Sequence, residues 1–182
     1  MILASRSPQR RAILEQLGID FTVEAAWAEE LTDGPPAEVA IENAYRKAAE
    51  VALRFPDALV LGVDTIVALG GRLYGKPADG AQARRTLEAL GGRTHAVVSG
   101  VCLIEDGRSR TAAATTLVEF RALDEAVIDW YLACGEWHER AGGYAIQGRG
   151  AALVAGIEGD FFNVVGLPVA TLLTIVPGLL FQ

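Results

Sequence analysis

The run Leu59-Val60-Leu61-Gly62-Val63-Asp64-Thr65-Ile66-Val67-Ala68-Leu69 constrains this chain more than any other segment. So apolar a stretch reads as one extended, buried element, with a strand over Ala58 to Val63 and a second piece over Ile66 to Leu69. Its one charge, Asp64, is what the fold must accommodate. Desolvating a carboxylate costs roughly several kcal/mol, so Asp64 needs a metal, a cation or hydrogen bonds around it. A strand break organised by local hydrogen bonds from the aspartate is the other reading, and the local sequence leaves both open.

The elements on either side alternate. Met1 to Ala4 reads as a short strand, followed by a helix with Ser7 as its cap, Pro8 in its first turn and Gly18 at its end. Phe21 to Ala25 reads as a strand, and an alanine-rich helix runs from about Pro36 to Arg54, closed by Pro56. Gly70-Gly71 marks a hairpin between Ile66 to Leu69 and Arg72 to Tyr74, and Asp79 caps a helix ending at Gly91-Gly92. Two long strands follow, Thr94 to Ile104 and Thr111 to Phe120, with a turn at Asp106-Gly107; Asp124 then caps a helix reaching about Cys134. Ala151 to Ile157 reads as a strand, and Gly159 to Leu167 as a loop. Long hairpin strands mixed with crossover helices predict an α/β fold with a mixed sheet, in one domain over residues 1–182.

Charge narrows the partners. The net charge of −7 leaves no broad basic surface for a nucleic-acid backbone, so any phosphate binding must be local. Cys102 and Cys134 lack zinc or disulfide spacing and read as core residues, which fits a reducing compartment. The first residues lack the charged lead and long apolar stretch of a signal peptide, giving the expectation of a cytoplasmic protein. Val164 to Phe181 carries no charge, but Gly166, Pro168, Pro177 and Gly178 divide it, so a buried helix starting at Pro168 is expected and a membrane span is not.

Two cations, Arg10 and Lys47, stand where solvent does not explain them. Arg10 shares the inward stripe of the first helix with Ile13, Leu14 and Leu17, close to the free N–H groups and positive end of the helix. That suits an anion such as phosphate; pairing with a structural carboxylate is the competing reading. Lys47 interrupts the small apolar stripe Ala40, Ala44, Ala48 and Val51, where a lysine either finds a partner or snorkels to the surface. Lys76-Pro77 is a turn by default. Glu29-Glu30 could join Asp64 in holding a divalent cation through hard oxygen ligands, although acidic pairs are usually only solvated. His95 and His138 have no spacing for zinc or a serine triad, and no glycine-rich phosphate loop or dinucleotide fingerprint is present.

These sites become coherent through a resemblance. Leu3-Ala4-Ser5 through Arg10 resembles an opening Leu-Ala-Ser, any residue, Ser-Pro-Arg-Arg; Val63-Asp64-Thr65 resembles Ala-Asp-Thr; Lys76-Pro77 matches Lys-Pro. Ala141-Gly142-Gly143-Tyr144-Ala145-Ile146-Gln147-Gly148 and Val165-Gly166-Leu167-Pro168 resemble two further motifs in the same order. Together they resemble the Maf family, also called septum-formation inhibitor-like proteins, along essentially the whole chain. Two departures stand out: Gln9 replaces the first arginine of the family pair, and Trp137-His138-Glu139-Arg140 replaces a proline-containing segment ending in Asp-Lys.

The resemblance implies an ITPase-like fold, with a long twisted mixed sheet flanked by helices and two lobes around a cleft. It implies house-cleaning hydrolysis of a nucleoside triphosphate, dTTP or UTP favoured, to the monophosphate and pyrophosphate, assisted by Mg2+ or Mn2+. Asp64 becomes the catalytic proton acceptor and, with Glu30, a metal ligand. Ser7, Lys47 and Lys76 become phosphate-binding residues, and Arg10, Thr65 and Gln147 set specificity. Members often form homodimers. An alternative is a nucleotide-binding regulator of cell division whose hydrolysis is incidental.

Overall fold

A computed structural model describes residues 1–181 of the chain. In chain order these form β1 (Ile2–Leu3), α1 (Pro8–Gln16), β2 (Thr22–Val23), α2 (Pro36–Arg54), β3 (Val60–Leu69), β4 (Arg72–Tyr74) and α3 (Gly80–Leu90). They continue with β5 (Thr94–Glu105), β6 (Arg108–Phe120), α4 (Glu125–Ala133), β7 (Val154–Glu158), α5 (Phe161–Val165) and α6 (Val169–Ile175). The α/β reading holds, and the seven strands make one mixed sheet. Its order is β2-β1-β3-β5-β6-β7, with β4 also pairing to β3. β1 is parallel to β2 and β3, and the remaining pairs are antiparallel.

The caps act where the sequence places them. Ser7, Asp79 and Asp124 each accept a hydrogen bond from a backbone N–H in the first turn of α1, α3 and α4. The later chain differs from expectation in two places. Residues 149–153 form a 3-10 turn, so β7 starts later than its apolar letters suggest. The segment read as a loop contains the short α5, because the Asp160 side chain accepts from Phe162 N and starts a helical turn. No helix among the described residues is long and apolar enough to cross a membrane.

β3 runs unbroken through Asp64, so the strand-break reading is wrong: the antiparallel ladder to β5 continues past it, pairing Asp64 with Gly100 and Thr65 with Ser99. With period two, the strand divides its residues between two faces. Leu61 and Val63 pack with Val101 and Leu103 of β5 against Ile13 and Leu14 of α1 and Leu172 of α6. Val60 and Ile66 face the other way, against Ala44 and Val39 of α2.

Glycines set how closely α2 lies on that second face. A Cβ added to Gly62 would sit 2.1 Å from the Ala44 carbonyl oxygen, and one added to Gly100 2.1 Å from that of Ala40. The helix answers with its own small residues, Ala40, Ala44 and Ala48, all fully buried. Helix and sheet backbones therefore nearly touch.

The opposite edge of β3 is interrupted. β1 pairs only with Val60 and Leu61 and makes its last backbone bond from Ala4 N to Leu61 O, while β4 begins pairing at Val67. Between them, residues 63–66 have no strand on that side. The gap leaves the strand edge at Asp64 and Thr65 without a β partner.

Candidate active site

Consecutive residues on a strand point to opposite faces, so Asp64 and Thr65 carry two different environments to the same gap. On the α2 face Asp64 is 6% exposed. Its Oδ1 lies 2.6 Å from Lys47 Nζ, and its Oδ2 accepts from Asn43 Nδ2 at 3.1 Å. Lys47 also lies 2.6 Å from Glu30 Oε1, so one ammonium bridges two carboxylates. Glu30 is the solvent-side member, with its side chain 47% exposed against 9% for Asp64. Lys47 thus found partners rather than snorkelling away. The close approach of α2 over Gly62 and Gly100 is what brings Asn43 and Lys47 within reach of Asp64.

On the other face, Thr65 Oγ1 lies 2.9 Å from Ser99 Oγ and accepts from Arg10 Nη2 at 3.2 Å. Arg10 is 9% exposed, as its place on the inward stripe predicts. It donates from Nε to the Gly166 carbonyl at 2.8 Å and from Nη1 to Ser5 Oγ at 2.9 Å. Gly166 closes α5 at φ 127°, a backbone open to glycine and strained for other residues, which turns its carbonyl to the guanidinium. Every hydrogen bond from Arg10 goes to a neutral oxygen, so the structural-carboxylate reading fails. Burial lowers its pKa, opposed by the attraction of Asp64 and Glu30. A buried, permanently charged guanidinium with no ion-pair partner among the described residues suits an incoming anion.

The other sequence candidates lie around this centre. Ser7 accepts from Arg10 N at 3.4 Å and donates to Gln9 Oε1 at 3.2 Å, so its hydroxyl is engaged in capping. Lys76, which follows β4, pairs with Glu139 at 2.8 Å at the surface. Gly142 N donates to Gly75 O, and a Cβ on Gly142 would lie 2.7 Å from Val67 Cγ2, so the Ala141-Gly142-Gly143 turn is fastened beside Lys76. Gln147, on the exposed turn that follows, makes no contact with Arg10 or Thr65 that would tie the three together. Arg6 stacks 4.4 Å over Trp27, which is 71% exposed.

Asn43, Ser99 and Gly166 escaped the sequence reading as contributors to the site, although the two strand glycines opposite α2 could have signalled where a helix approaches. Asp64 and Glu30 are two hard-oxygen donors converging on one point. Among the described residues no third His, Cys, Asp or Glu joins them. Two carboxylates still fit Mg2+ or Mn2+, which commonly take their remaining ligands from water and substrate phosphates.

Residues 1–178 match the profile of the Maf-like proteins. The chain belongs to that family. It is 43% identical to the dTTP/UTP pyrophosphatase of Pyrococcus furiosus over 97% of this chain and 93% of the relative. It is 46% identical to that of Symbiobacterium thermophilum (92% and 88% covered) and 44% identical to that of Deinococcus radiodurans (98% and 92% covered). In this Maf-like chain the first and last motifs meet directly, through the bond from Arg10 to Gly166.

Proposed function

We propose that this protein hydrolyses dTTP and UTP to the nucleoside monophosphate and pyrophosphate, with help from a divalent cation. The observation that carries this reading is the strand gap. It sets a buried carboxylate, Asp64, next to a buried guanidinium, Arg10, whose partners among the described residues are all neutral, at one unpaired strand edge. A protein that only binds a triphosphate gains nothing from a carboxylate there, because negative charge opposes the ligand.

Asp64 is the proton acceptor. Lys47 and Asn43 each engage one of its oxygens and leave lone pairs on both, so the carboxylate is oriented without being used up. Water attacks the α-phosphorus and its proton passes to Asp64. The bond from that phosphorus to the bridging oxygen breaks, and its electron pair leaves with pyrophosphate. Arg10, Lys47 and Lys76 hold and neutralise the phosphates, which is most of what phosphoryl transfer asks of a protein, and the Ser7 hydroxyl joins them as a donor by turning from Gln9. A divalent cation held by Asp64 and Glu30 would supply charge compensation for the phosphate oxygens. Thr65 and Gln147, with Arg10, read the nucleotide, and the Gln147 amide matches the donor and acceptor edge of uracil or thymine.

The protein is further read as one cytoplasmic domain over residues 1–182, with no nucleic-acid partner given its net charge of −7, and as a homodimer on the family resemblance. The test is a nucleotide panel with product analysis in Mg2+ or Mn2+. UTP and dTTP should yield monophosphate and pyrophosphate, and Asp64→Asn should lower kcat by about 100-fold or more. Gln147→Ala should erase the preference for pyrimidines. Release of orthophosphate, or full activity in Asp64→Asn, overturns the proposal.

A further inference from the structure

Asn43 is 2% exposed and lies one helical turn before Lys47 on α2. Its Oδ1 accepts from Leu31 N at 2.7 Å, its Nδ2 donates to Leu31 O at 3.0 Å, and the same Nδ2 donates to Asp64 Oδ2 at 3.1 Å. One amide therefore grips both backbone groups of a single loop residue and one oxygen of the buried carboxylate.

We propose that Asn43 is a positioning residue for the reaction, fixing the Asp64 carboxylate and the loop that carries Glu30 relative to each other. The proposal rests on Asp64 being the reactive carboxylate.

The directions of the bonds make the amide's role specific. The Leu31 N–H can be satisfied only by an acceptor, so Oδ1 must face the loop and Nδ2 must face Asp64 and the Leu31 carbonyl. With Oδ2 held by Asn43 and Oδ1 by Lys47, rotation of the carboxylate about its Cβ–Cγ bond is blocked at both ends. The grip on Leu31 acts one residue away from Glu30, whose Oε1 must return to the same Lys47 nitrogen. Loop residues 24–34 contain no regular element, so side-chain bonds to their backbone carry their placement. Among the described residues four such anchors exist: the Ala25 carbonyl to Arg54, Trp27 N to Glu50, the Glu29 carbonyl to Arg46, and Leu31 to Asn43. Of these, the Asn43 anchor alone also touches Asp64. Misplacing a reactive group by about 1 Å can cost on the order of 100-fold in rate without loss of the fold.

Steady-state kinetics on UTP and dTTP, in purified Asn43→Ala, Asn43→Asp and Asp64→Asn proteins far below their melting temperatures, test this. Asn43→Asp is nearly isosteric and keeps the acceptor for Leu31 N, but loses the donor to Asp64 and to the Leu31 carbonyl and sets a second carboxylate beside Asp64. Both Asn43 variants should lose about 10- to 100-fold in kcat, equally for the two nucleotides, with KM within about threefold of wild type. A purely structural residue would lower the melting temperature and leave kcat of the folded protein alone. Wild-type kcat in either folded variant, with Asp64→Asn inactive, overturns the positioning role and spares the Asp64 assignment. An active Asp64→Asn overturns both. Should Asn43→Ala fail to fold, Asn43→Asp decides the matter alone.

Discussion

Two buried cationic or ionisable side chains show how differently this protein treats charge. Arg10 stays charged in the interior, because its ordinary pKa is too high for burial to neutralise it, and three neutral oxygens hold it without cancelling its charge. His95, 1% exposed, takes the opposite course. Its Nε2 lies 2.9 Å from the Tyr144 hydroxyl, and the rings of Phe120 and Tyr144 meet it edge-on. Burial pulls its pKa down to about 4 from an ordinary 6.5, so the native state holds it neutral. The stabilisation from keeping it neutral is therefore complete above pH 6.5 and disappears as pH falls towards 4. Urea melts at pH 7 and pH 5 check the sign: wild type should lose more stability between them than His95→Gln, and equal losses would show that His95 does not titrate across folding. Tyr144 opens the turn that carries Gln147, so this neutral pair supports that turn from the core side.

At the scale of elements, the contact between α2 and the sheet decides the site. Gly62→Ala would force a methyl carbon against the Ala44 carbonyl, and neither backbone can yield without separating α2 from β3. The expected loss is about 1–3 kcal/mol of stability, together with a fall in kcat as Asn43 and Lys47 withdraw from Asp64. Gly156→Ala, in β7, is the control: its Cβ meets nothing within 4 Å, and both quantities should stay near wild type. Denaturant midpoints and kcat, measured on both variants, check the contrast. The bounds of α2 were legible from Pro36 and the closing Pro56, and the inward faces of Arg10 and Lys47 from helical spacing. Asn43 was not legible, because it fits an ordinary helix and its meaning lies in the Leu31 backbone, which has no periodicity to read. Nor was the unbroken β3, since local letters at Asp64 suit a break and only the long partner β5 shows that the ladder continues.

For the whole molecule the question is how a chain of net charge −7 receives a polyanion. Lys47 is already shared by Asp64 and Glu30, and Lys76 pairs with Glu139, which leaves Arg10 as the member of the three cations without a carboxylate partner among the described residues. The motifs showed which residue types gather, because their order survives in the sequence. They could not show this pairing of charges, which arises from segments as far apart as Arg10 and Gly166, joined only by folding. A triphosphate arriving at the gap meets two carboxylates as well as Arg10, and like charges in a poorly solvated site repel strongly. Hydrolysis should therefore stop when divalent cations are chelated and return with Mg2+ or Mn2+. The two carboxylates should contribute unequally to that requirement. With Asp64 as the proposed proton acceptor, its loss should remove turnover at any metal concentration. Glu30 is half exposed and, among the described residues, forms its ion pair with Lys47, so Glu30→Gln should raise the metal concentration needed for half-maximal rate by about tenfold while leaving much of kcat at saturating metal. A titration of Mn2+ at fixed, saturating UTP reads this directly. An unchanged metal requirement in Glu30→Gln would assign Glu30 to holding Lys47 and leave Asp64 as the metal's protein ligand at this edge.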